Sequence, residues 1–403
     1  KLVFKAEKII FFSLSNLYFQ IKDLKKGILI LKEGLNLYPS FLPFKFNLAV
    51  MYRNSGDIKL AIDTHLEIIR IDNSYLDSFY ELSSLYDFSS HKKELDLFLN
   101  VDLNKLSPNH KIKSAFSRSN IFHDLKEYSK SSYYLKIANE EKLKLYPSDL
   151  ELKKNTGEFY KKLCLGKTRQ NFNIKNEIEI VFIVGMPRSG STLLENIISV
   201  NKNVLDMGEV SYLEQSLNEI TNIEEIFNNY INKIKDKKNF YIFTDKNLFN
   251  FLYCPVIYNY FPSAKIIHCI RNPLDNILSI YRTNFLKQNF SSSIIDITEL
   301  YIYQHNLMEH YKKLYGEIIY SYKFEKLVEN PSIEIPKLIK WLGWKWDDNF
   351  LNPHTNKRNV FTASSAQVRD EINNKGIGNW KKYEDILRPA IDLIKESKLL
   401  ADM

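Results

Sequence analysis

The sequence lacks any long apolar run and contains little cysteine. No segment approaches the roughly 18 to 20 consecutive apolar residues that a helix needs to cross a bilayer, and the longest stretches, such as Ile178–Met186, fit buried strands. Its three cysteines lie far apart without the spacing of a metal site, so we interpret them as buried free thiols: Cys164, Cys254 and Cys269. We therefore expect no transmembrane segment, no cysteine-bound metal and, by default, a reducing, cytoplasmic location.

Charge is not concentrated in any one part of the chain. The formal net charge of +8 is modest for 403 residues and suits an anionic ligand. There is no polybasic block and no basic stripe interleaved with aromatic residues, so nothing indicates a nucleic-acid partner. The first eight residues are too charged for a signal peptide. Because the chain does not begin with methionine, a truncated N-terminus and a missing signal stay open.

A repeat is present in the first half of the chain. Tyr18, Tyr52 and Tyr86 lie 34 residues apart, the period of the helix–turn–helix tetratricopeptide repeat, which this region resembles. In the clearest copy the small residues Ala49 and Ala61 let two helices approach, and Tyr52 fills the groove between them. We predict an all-α tetratricopeptide solenoid whose concave face binds a protein partner. A generic helical bundle is the alternative.

The length is sufficient for two globular domains, and the composition changes between them. We place the helical repeat domain at 1–140, a helical linker at 141–177 and a second domain at 178–403. The linker is rich in lysine, asparagine and tyrosine, with Pro147 and Gly157 as breakers.

The second domain opens with a strand, a glycine loop and a helix. Ile178–Val184 is an apolar, β-branched run typical of a buried parallel strand, and apolar residues follow the loop Gly185–Thr192 at helical spacing. Backbone N–H groups of such a loop and of the first helical turn converge on an anion. Ser191 stands where a nucleotide triphosphatase has its lysine, and the positive charge is Arg188 instead, so a kinase or ATPase is disfavoured. A simple glycine turn is the alternative.

A second segment predicts another phosphate contact. Ala264–Ile270 has the pattern of a buried strand, and Pro273 is well placed to begin the next helix. Arg271 ends the strand and Ser279 lies about two turns along that helix. A guanidinium offers a fixed fork of donors and the serine adds another, so the two side chains are suited to hold one phosphate.

Together the two segments resemble the sulfotransferases that use 3′-phosphoadenosine 5′-phosphosulfate (PAPS), release 3′-phosphoadenosine 5′-phosphate (PAP) and require no metal. The resemblance covers about 178–389 and is closest to repeat-containing enzymes of the protein-tyrosine type. It implies that the 3′-phosphate is bound by Arg271 and Ser279. It also implies a cradle for the 5′-phosphosulfate formed by Pro187, Arg188, Ser189, Gly190, Ser191 and Thr192.

The resemblance also implies catalytic residues. Gly208-Glu209 is similar to the segment whose glutamate is the proposed base for the acceptor hydroxyl, and Thr244-Asp245-Lys246 to the segment whose lysine neutralises charge on the transferring group. With Arg188 these complete the predicted catalytic set. The alternatives are a solvated loop carboxylate for Glu209 and a surface lysine for Lys246.

The C-terminal third extends the resemblance with two departures. Phe324 stands in place of a tyrosine of the cofactor site, and Asn379 stands in place of the basic residue before Trp380, a charge that Lys381 or Lys382 would have to supply. In the segment 358–369, Ser364 is implied as a further contact of the 3′-phosphate.

We therefore predict an all-α solenoid followed by a three-layer α/β domain of P-loop type with a central parallel sheet. The predicted function is sulfonate transfer from PAPS to an acceptor hydroxyl by in-line displacement. A catalytically weakened binding protein and a P-loop kinase are the alternatives. The hydroxyl of a protein tyrosine, a glycan or a small metabolite presents the same nucleophile, so the acceptor stays open.

Overall fold

The computed structural model describes residues 2–167, 169, 178–235, 240–356, 371–397 and 399, with the backbone alone for residues 2–6 and 92. The described residues form two compact units. The first contains the chain up to Tyr146 together with Arg282–Asn284, and the second contains the remainder.

The first unit is built from helices that pack against their neighbours in the sequence. Gly27 and Gly34 lie where helices approach closely, since a Cβ on Gly27 would lie 2.8 Å from the Met51 side chain. Tyr52 and Ala61 are buried in the same core, as the repeat pattern predicts. The α-helices of this unit are α1 Leu2–Gln20, α2 Leu24–Leu37, α3 Leu42–Ser55, α4 Ile58–Ile71, α5 Leu76–Leu82, α6 Lys92–Leu99, α7 Pro108–Asp124 and α8 Tyr128–Leu145.

The third copy of the 34-residue repeat departs from the first two. Tyr18 and Tyr52 lie within helices, whereas Tyr86 follows the end of the short helix α5. The Ser83 and Ser84 hydroxyls donate hydrogen bonds to the carbonyls of Tyr80 and Glu81, and such local bonds compete with continuation of a helix. The helices are those expected, and their assignment as a tetratricopeptide solenoid stays a prediction.

The second unit is built on a parallel sheet. Its strands are β1 Glu179–Gly185, β2 Val204–Asp206, β3 Ile242–Asp245, β4 Ala264–Ile270 and β5 Ile319–Lys323. They lie side by side in the order β2-β3-β1-β4-β5, and every neighbouring pair is parallel. The sequence predicts β1 to within one residue and β4 with the bounds observed.

Helices cover both faces of this sheet. Val181 and Ile183 point from β1 into a core shared with the helix after the glycine loop and with a later helix. Phe182 points the other way, with its ring centroid 5.9 Å from that of Tyr230 and 5.5 Å from that of Phe261. The α-helices of this unit are α9 Leu150–Leu163, α10 Ser191–Ile198, α11 Tyr212–Glu219, α12 Ile226–Ile234, α13 Cys254–Tyr260, α14 Pro273–Tyr281, α15 Ile294–Tyr315, α16 Phe324–Glu329, α17 Pro331–Leu342 and α18 Glu384–Glu396.

The predicted fold class is confirmed: a helical N-terminal part precedes a three-layer α/β part with a central parallel sheet. The predicted domain boundaries at 140 and 178 stay predictions. The three cysteines are free and buried, as expected. Within the described ranges, none of the helices has the length and apolar character that crossing a membrane requires.

Candidate active site

Predicted site residues follow the carboxyl ends of all five strands. In the spatial order of the sheet these are Glu209 after β2, Lys246 after β3, the glycine loop after β1, Arg271 after β4 and Phe324 after β5. Parallel strands present their carboxyl ends at one edge, which is where ligands bind in open α/β sheets. Residues as far apart in the chain as Gly185 and Phe324 are thereby brought to one edge of the sheet.

The glycine loop approaches its neighbours too closely for side chains at two positions. A Cβ on Gly185 would lie 2.6 Å from the Cys269 carbonyl oxygen, and one on Gly190 would lie 2.4 Å from the Phe324 ring. Both glycines have positive φ, and so does Arg188, at 65°. A non-glycine residue in this region costs about 1–3 kcal/mol, so the surrounding contacts must hold the Arg188 backbone in place.

Contacts from α14 and from the end of β4 hold the loop. The Arg188 Nε donates to the Ser279 hydroxyl at 3.1 Å, and an Arg271 Nη donates to the Arg188 carbonyl at 2.7 Å. The Asn276 amide donates to the Pro187 carbonyl at 2.8 Å. The structure therefore brings together Arg188, Arg271 and Ser279, as the sequence predicts, and adds Asn276.

The Arg271 guanidinium is held in a largely enclosed position. It lies over the Phe324 ring, 5.0 Å from its centroid, and its other Nη donates to the Gly376 carbonyl at 2.6 Å. Burial lowers the pKa of this guanidinium from its ordinary value, yet an arginine stays charged in proteins. Its Nε is buried and has no hydrogen-bond partner in the described part of the chain, so it is a donor that an anionic oxygen would satisfy.

Asp275 fixes the segment that contains Gly376. Its two carboxylate oxygens accept the backbone N–H groups of Gly378, at 2.6 Å, and of Trp380, at 2.9 Å. The sequence places Asp275 only in the first turn of a helix and does not predict this contact. Trp380 is thereby held beside α14 and half-buried.

Lys246 lies on the opposite side of the loop and is fully buried. Its ammonium is 3.3 Å from a Glu195 carboxylate oxygen, 3.4 Å from one of Glu209 and 3.5 Å from the Thr192 hydroxyl. The surface-lysine interpretation is therefore wrong. Glu209 keeps 56% of its side chain exposed while its carboxylate contacts the lysine, so it is accessible from solvent and paired with Lys246 at once.

Glu195 is a functional candidate that the sequence analysis missed. It is an acidic residue within the apolar run of α10, and that contrast with its neighbours is the signal that would have revealed it. Next to Lys246, burial raises the pKa of the Asp245 carboxyl to about 7. Asp245 accepts hydrogen bonds from the Tyr230 hydroxyl and the Asn250 amide, which fixes the turn that carries Lys246.

Other predicted residues lie outside the described part of the chain or outside this cluster. Ser364 lies outside the described residues. Lys381 is exposed, and Lys382 donates to the Asn379 amide oxygen at 2.8 Å. His268 is buried in β4 against Gln304, at 2.7 Å, with burial lowering its pKa to about 3, so it is a core histidine and not part of the site. The described ranges contain no group of three or more His, Cys, Asp or Glu side chains placed to hold a metal.

A family model described as "Sulfotransferase family" matches residues 213–348. This part of the chain is a sulfotransferase-family domain. The matched range contains Lys246, Arg271, Ser279 and Phe324, and it begins after the glycine loop and Glu209. The recognition from the sequence is confirmed for this domain, while the roles of individual residues stay predictions.

Relatives of the sulfotransferase domain cover about half of the chain. An uncharacterized protein of Aquifex aeolicus is 30% identical over 248 residues, which are 54% of this chain and 32% of that protein. A Caenorhabditis briggsae protein named "Putative protein-tyrosine sulfotransferase" is 24% identical over 250 residues, 55% of this chain and 88% of that protein. The solved sulfotransferase domain of the Synechococcus PCC 7002 olefin synthase is 18% identical with a TM-score of 0.43, covering 58% of this chain and 98% of that chain.

Proposed function

We propose that the protein transfers a sulfonate group from PAPS to an acceptor hydroxyl. The observation that carries this proposal is the position of Lys246, which is fully buried and contacts both the first turn of α10 and the exposed Glu209. Lys246 is thus a cation that contacts both the proposed base, Glu209, and the anion-binding first turn of α10. In-line transfer at sulfur requires these groups on either side of the reacting atom.

The residues present fit such a donor at two points. The loop Gly185–Thr192 and the N-terminal turn of α10 offer backbone N–H groups, with Arg188 and Lys246 beside them, for a 5′-phosphosulfate. Arg271, whose Nε has no hydrogen-bond partner among the described residues, and Ser279 are suited to a 3′-phosphate. The donor supplies an activated sulfonate whose leaving group is a phosphate. Ser364 and Lys381 complete the proposed donor contacts on the basis of the resemblance alone.

Three side chains have proposed roles in the transfer itself. Glu209 accepts the proton of the acceptor hydroxyl as that oxygen attacks the sulfur. Lys246 offsets the negative charge that develops on the departing phosphate oxygen, and Arg188 offsets charge on the sulfonate oxygens. Since Lys246 is removed from water, its charge acts in a medium of lower effective dielectric constant and is correspondingly stronger.

For the acceptor we propose the hydroxyl of a protein tyrosine or of a glycan. The relative named as a protein-tyrosine sulfotransferase supports the tyrosine. Incubating the protein with radiolabelled PAPS and fractionated cell lysate, then separating the products by size, tests the acceptor class. Label in a protein or polysaccharide fraction supports the proposal, and label confined to small molecules contradicts it. The protein partner of the repeat region and the cytoplasmic location stay predictions.

The donor assignment is tested by Arg271→Ala. We expect the affinity for PAP, measured by calorimetry, to fall about 10-fold to 100-fold, since a hydrogen bond to a charged group contributes about 1.5–3 kcal/mol. Arg388→Ala is the matched control, because Arg388 is an exposed arginine on α18. Unchanged PAP affinity in Arg271→Ala would show that the phosphate site is wrongly assigned. Magnesium-dependent binding of ATP, with none of PAP, would favour a kinase instead.

A further inference from the structure

Glu195 is the one charged residue of α10, whose other residues are apolar or uncharged and polar. Leu194, Ile197 and Ile198 of α10 belong to the core of the second unit, and Glu195 itself is only 3% exposed. An ionised carboxylate is costly to bury unless it is paired and hydrogen-bonded. The partners of this side chain should therefore account for its presence.

Three partners of Glu195 come from the ends of two strands. One carboxylate oxygen accepts the Gly208 N–H at 3.2 Å and the Thr244 hydroxyl at 3.1 Å. The other lies 3.3 Å from the Lys246 ammonium. Gly208 immediately precedes Glu209, and Thr244 lies two residues before Lys246. A single side chain on α10 thus connects the segment of the proposed base with that of the proposed cation.

The two carboxylates beside Lys246 differ in exposure. Glu209 has 56% of its side chain exposed and Glu195 has 3%. A fully buried ammonium needs a counter-charge at every stage of a reaction. Glu209 would cease to supply one on taking up a proton, whereas Glu195, at 3% exposure, is shielded from solvent and pairs with Lys246 from the buried side.

We infer that Glu195 is a positioning residue: it holds the Gly208–Glu209 segment and keeps a permanent counter-charge on Lys246, which frees Glu209 to accept the acceptor proton. This inference rests on the proposed sulfonate transfer. It assigns Glu195 no contact with the donor or the acceptor.

The substitution Glu195→Gln removes the negative charge of the side chain and keeps its size and shape. The amide keeps an oxygen that can accept from Gly208, but it leaves Glu209 as the carboxylate that must balance Lys246. We expect turnover to fall about 10-fold to 100-fold, the range of one charged hydrogen bond. Affinity for PAP should stay the same or increase, because one negative charge leaves the neighbourhood of an anion site.

The pH dependence of activity gives an independent measure. Loss of a negative charge favours the deprotonated forms of the titratable groups around it, so the pH–activity profile of Glu195→Gln should move to lower pH. The charged groups that contact or lie beside Glu195 are Lys246, Glu209 and Asp245, and the raised pKa of Asp245 owes part of its shift to the Glu195 charge. Glu195→Asp keeps the charge on a shorter side chain and should restore the position of the profile even where turnover is reduced.

The experiment compares the full chain as wild type, Glu195→Gln, Glu195→Asp and Glu179→Gln. Glu179 is the matched control, since it pairs with Lys265 at 3.1 Å at the far end of β1. PAP binding is measured by calorimetry, and turnover by transfer of radiolabelled sulfonate from PAPS to a glutamate–tyrosine copolymer. Reduced turnover with retained PAP affinity and a shifted pH profile, in Glu195→Gln alone, supports the inference.

Two other results would overturn it. Turnover and PAP affinity that fall together in Glu195→Gln and Glu195→Asp would indicate a merely structural carboxylate, and unchanged turnover and pH profile would indicate no role. A wild-type protein that neither binds PAP nor labels the copolymer would refute the proposed function itself, a failure that is visible before any substitution is compared.

Discussion

The two sides of the glycine loop hold their cations in different ways. On the side of β2 and β3, Lys246 lies fully buried between the carboxylates of Glu195 and Glu209. On the side of β4 and β5, Arg271 donates to two backbone carbonyls and lies over the Phe324 ring. The nearby Asp275 carboxylate accepts hydrogen bonds from the backbone N–H groups of Gly378 and Trp380, and not from the Arg271 guanidinium.

This difference indicates separate roles for the side that contains Lys246, Glu195 and Glu209 (the lysine side) and the side that contains Arg271, Asp275 and Phe324 (the arginine side). Carboxylate partners can change their protonation state or move, so the lysine side is suited to a step in which charge is redistributed. Backbone carbonyls and a packed ring cannot change their protonation state, so the arginine side is suited to fixed binding of an anion. We therefore expect substitutions on the lysine side to change turnover more than donor affinity, and substitutions on the arginine side to do the reverse.

The largest effect is expected for Glu209→Gln. Loss of the proposed general base should lower turnover by about 100-fold to 10,000-fold, while PAP affinity, measured by calorimetry, should stay within about threefold. Radiolabelled transfer from PAPS measures the turnover. Glu214→Gln, five residues further along the chain in α11, is the control. Turnover within tenfold of wild type in Glu209→Gln would show that this residue is not the base. It would also contradict the expectation that the lysine side controls turnover.

Lys246→Met should lower turnover by about 100-fold to 1000-fold, the effect of removing one group that stabilises transition-state charge. It also leaves Glu195 as a buried carboxylate without its cation, which costs about 3–5 kcal/mol of unfolding free energy. Chemical denaturation measures that loss.

The double variant Lys246→Met/Glu195→Gln separates the two effects. It should recover most of the unfolding free energy and none of the turnover. Recovery of turnover along with stability would mean that Lys246 has only a structural role.

On the arginine side, Asp275→Ala should weaken PAP binding about 10-fold. The substitution leaves the N–H groups of Gly378 and Trp380 without their acceptor, at about 1–3 kcal/mol, and the same segment carries the Gly376 carbonyl that orients Arg271. Limited proteolysis should also cut near 376–380 more readily. Asp385→Ala, on the exposed start of α18, is the control. Equal PAP affinity in both variants would show that this segment does not shape the phosphate site.

Local patterns were enough to predict which residues lie together around the glycine loop, while their roles stay predictions. The loop Gly185–Thr192 and the pair Arg271 and Ser279 are each set within a strand–turn–helix unit, whose residues are close in the sequence. Their convergence follows from parallel strands that end at a common edge. The sequence predicted that Lys246 and Glu209 belong to the site. It did not predict that Lys246 is buried, because that burial depends on the tertiary position of α10 beside the end of β3.

Glu195 and Asp275 could not be assigned from the sequence for a related reason. The N–H groups that they accept belong to residues 13 positions away for Glu195, and 103 and 105 positions away for Asp275. Nothing in a single sequence connects such partners. An acidic residue in an apolar helical run indicates only that a partner exists, and the tertiary fold identifies it.

The smallest expected effect concerns Phe324, the aromatic residue in place of a tyrosine. Its ring supports Arg271 and fills the space beside Gly190. A guanidinium over an aromatic face gains about 0.5–2 kcal/mol, so Phe324→Leu should weaken PAP binding about threefold to tenfold with turnover at saturating PAPS little changed. Phe324→Tyr keeps the ring and adds a hydroxyl, so calorimetry should show affinity for PAP equal to or above that of wild type. A larger loss in turnover than in affinity for Phe324→Leu would contradict the division between the two sides, because the ring would then support the reaction and not only the bound anion.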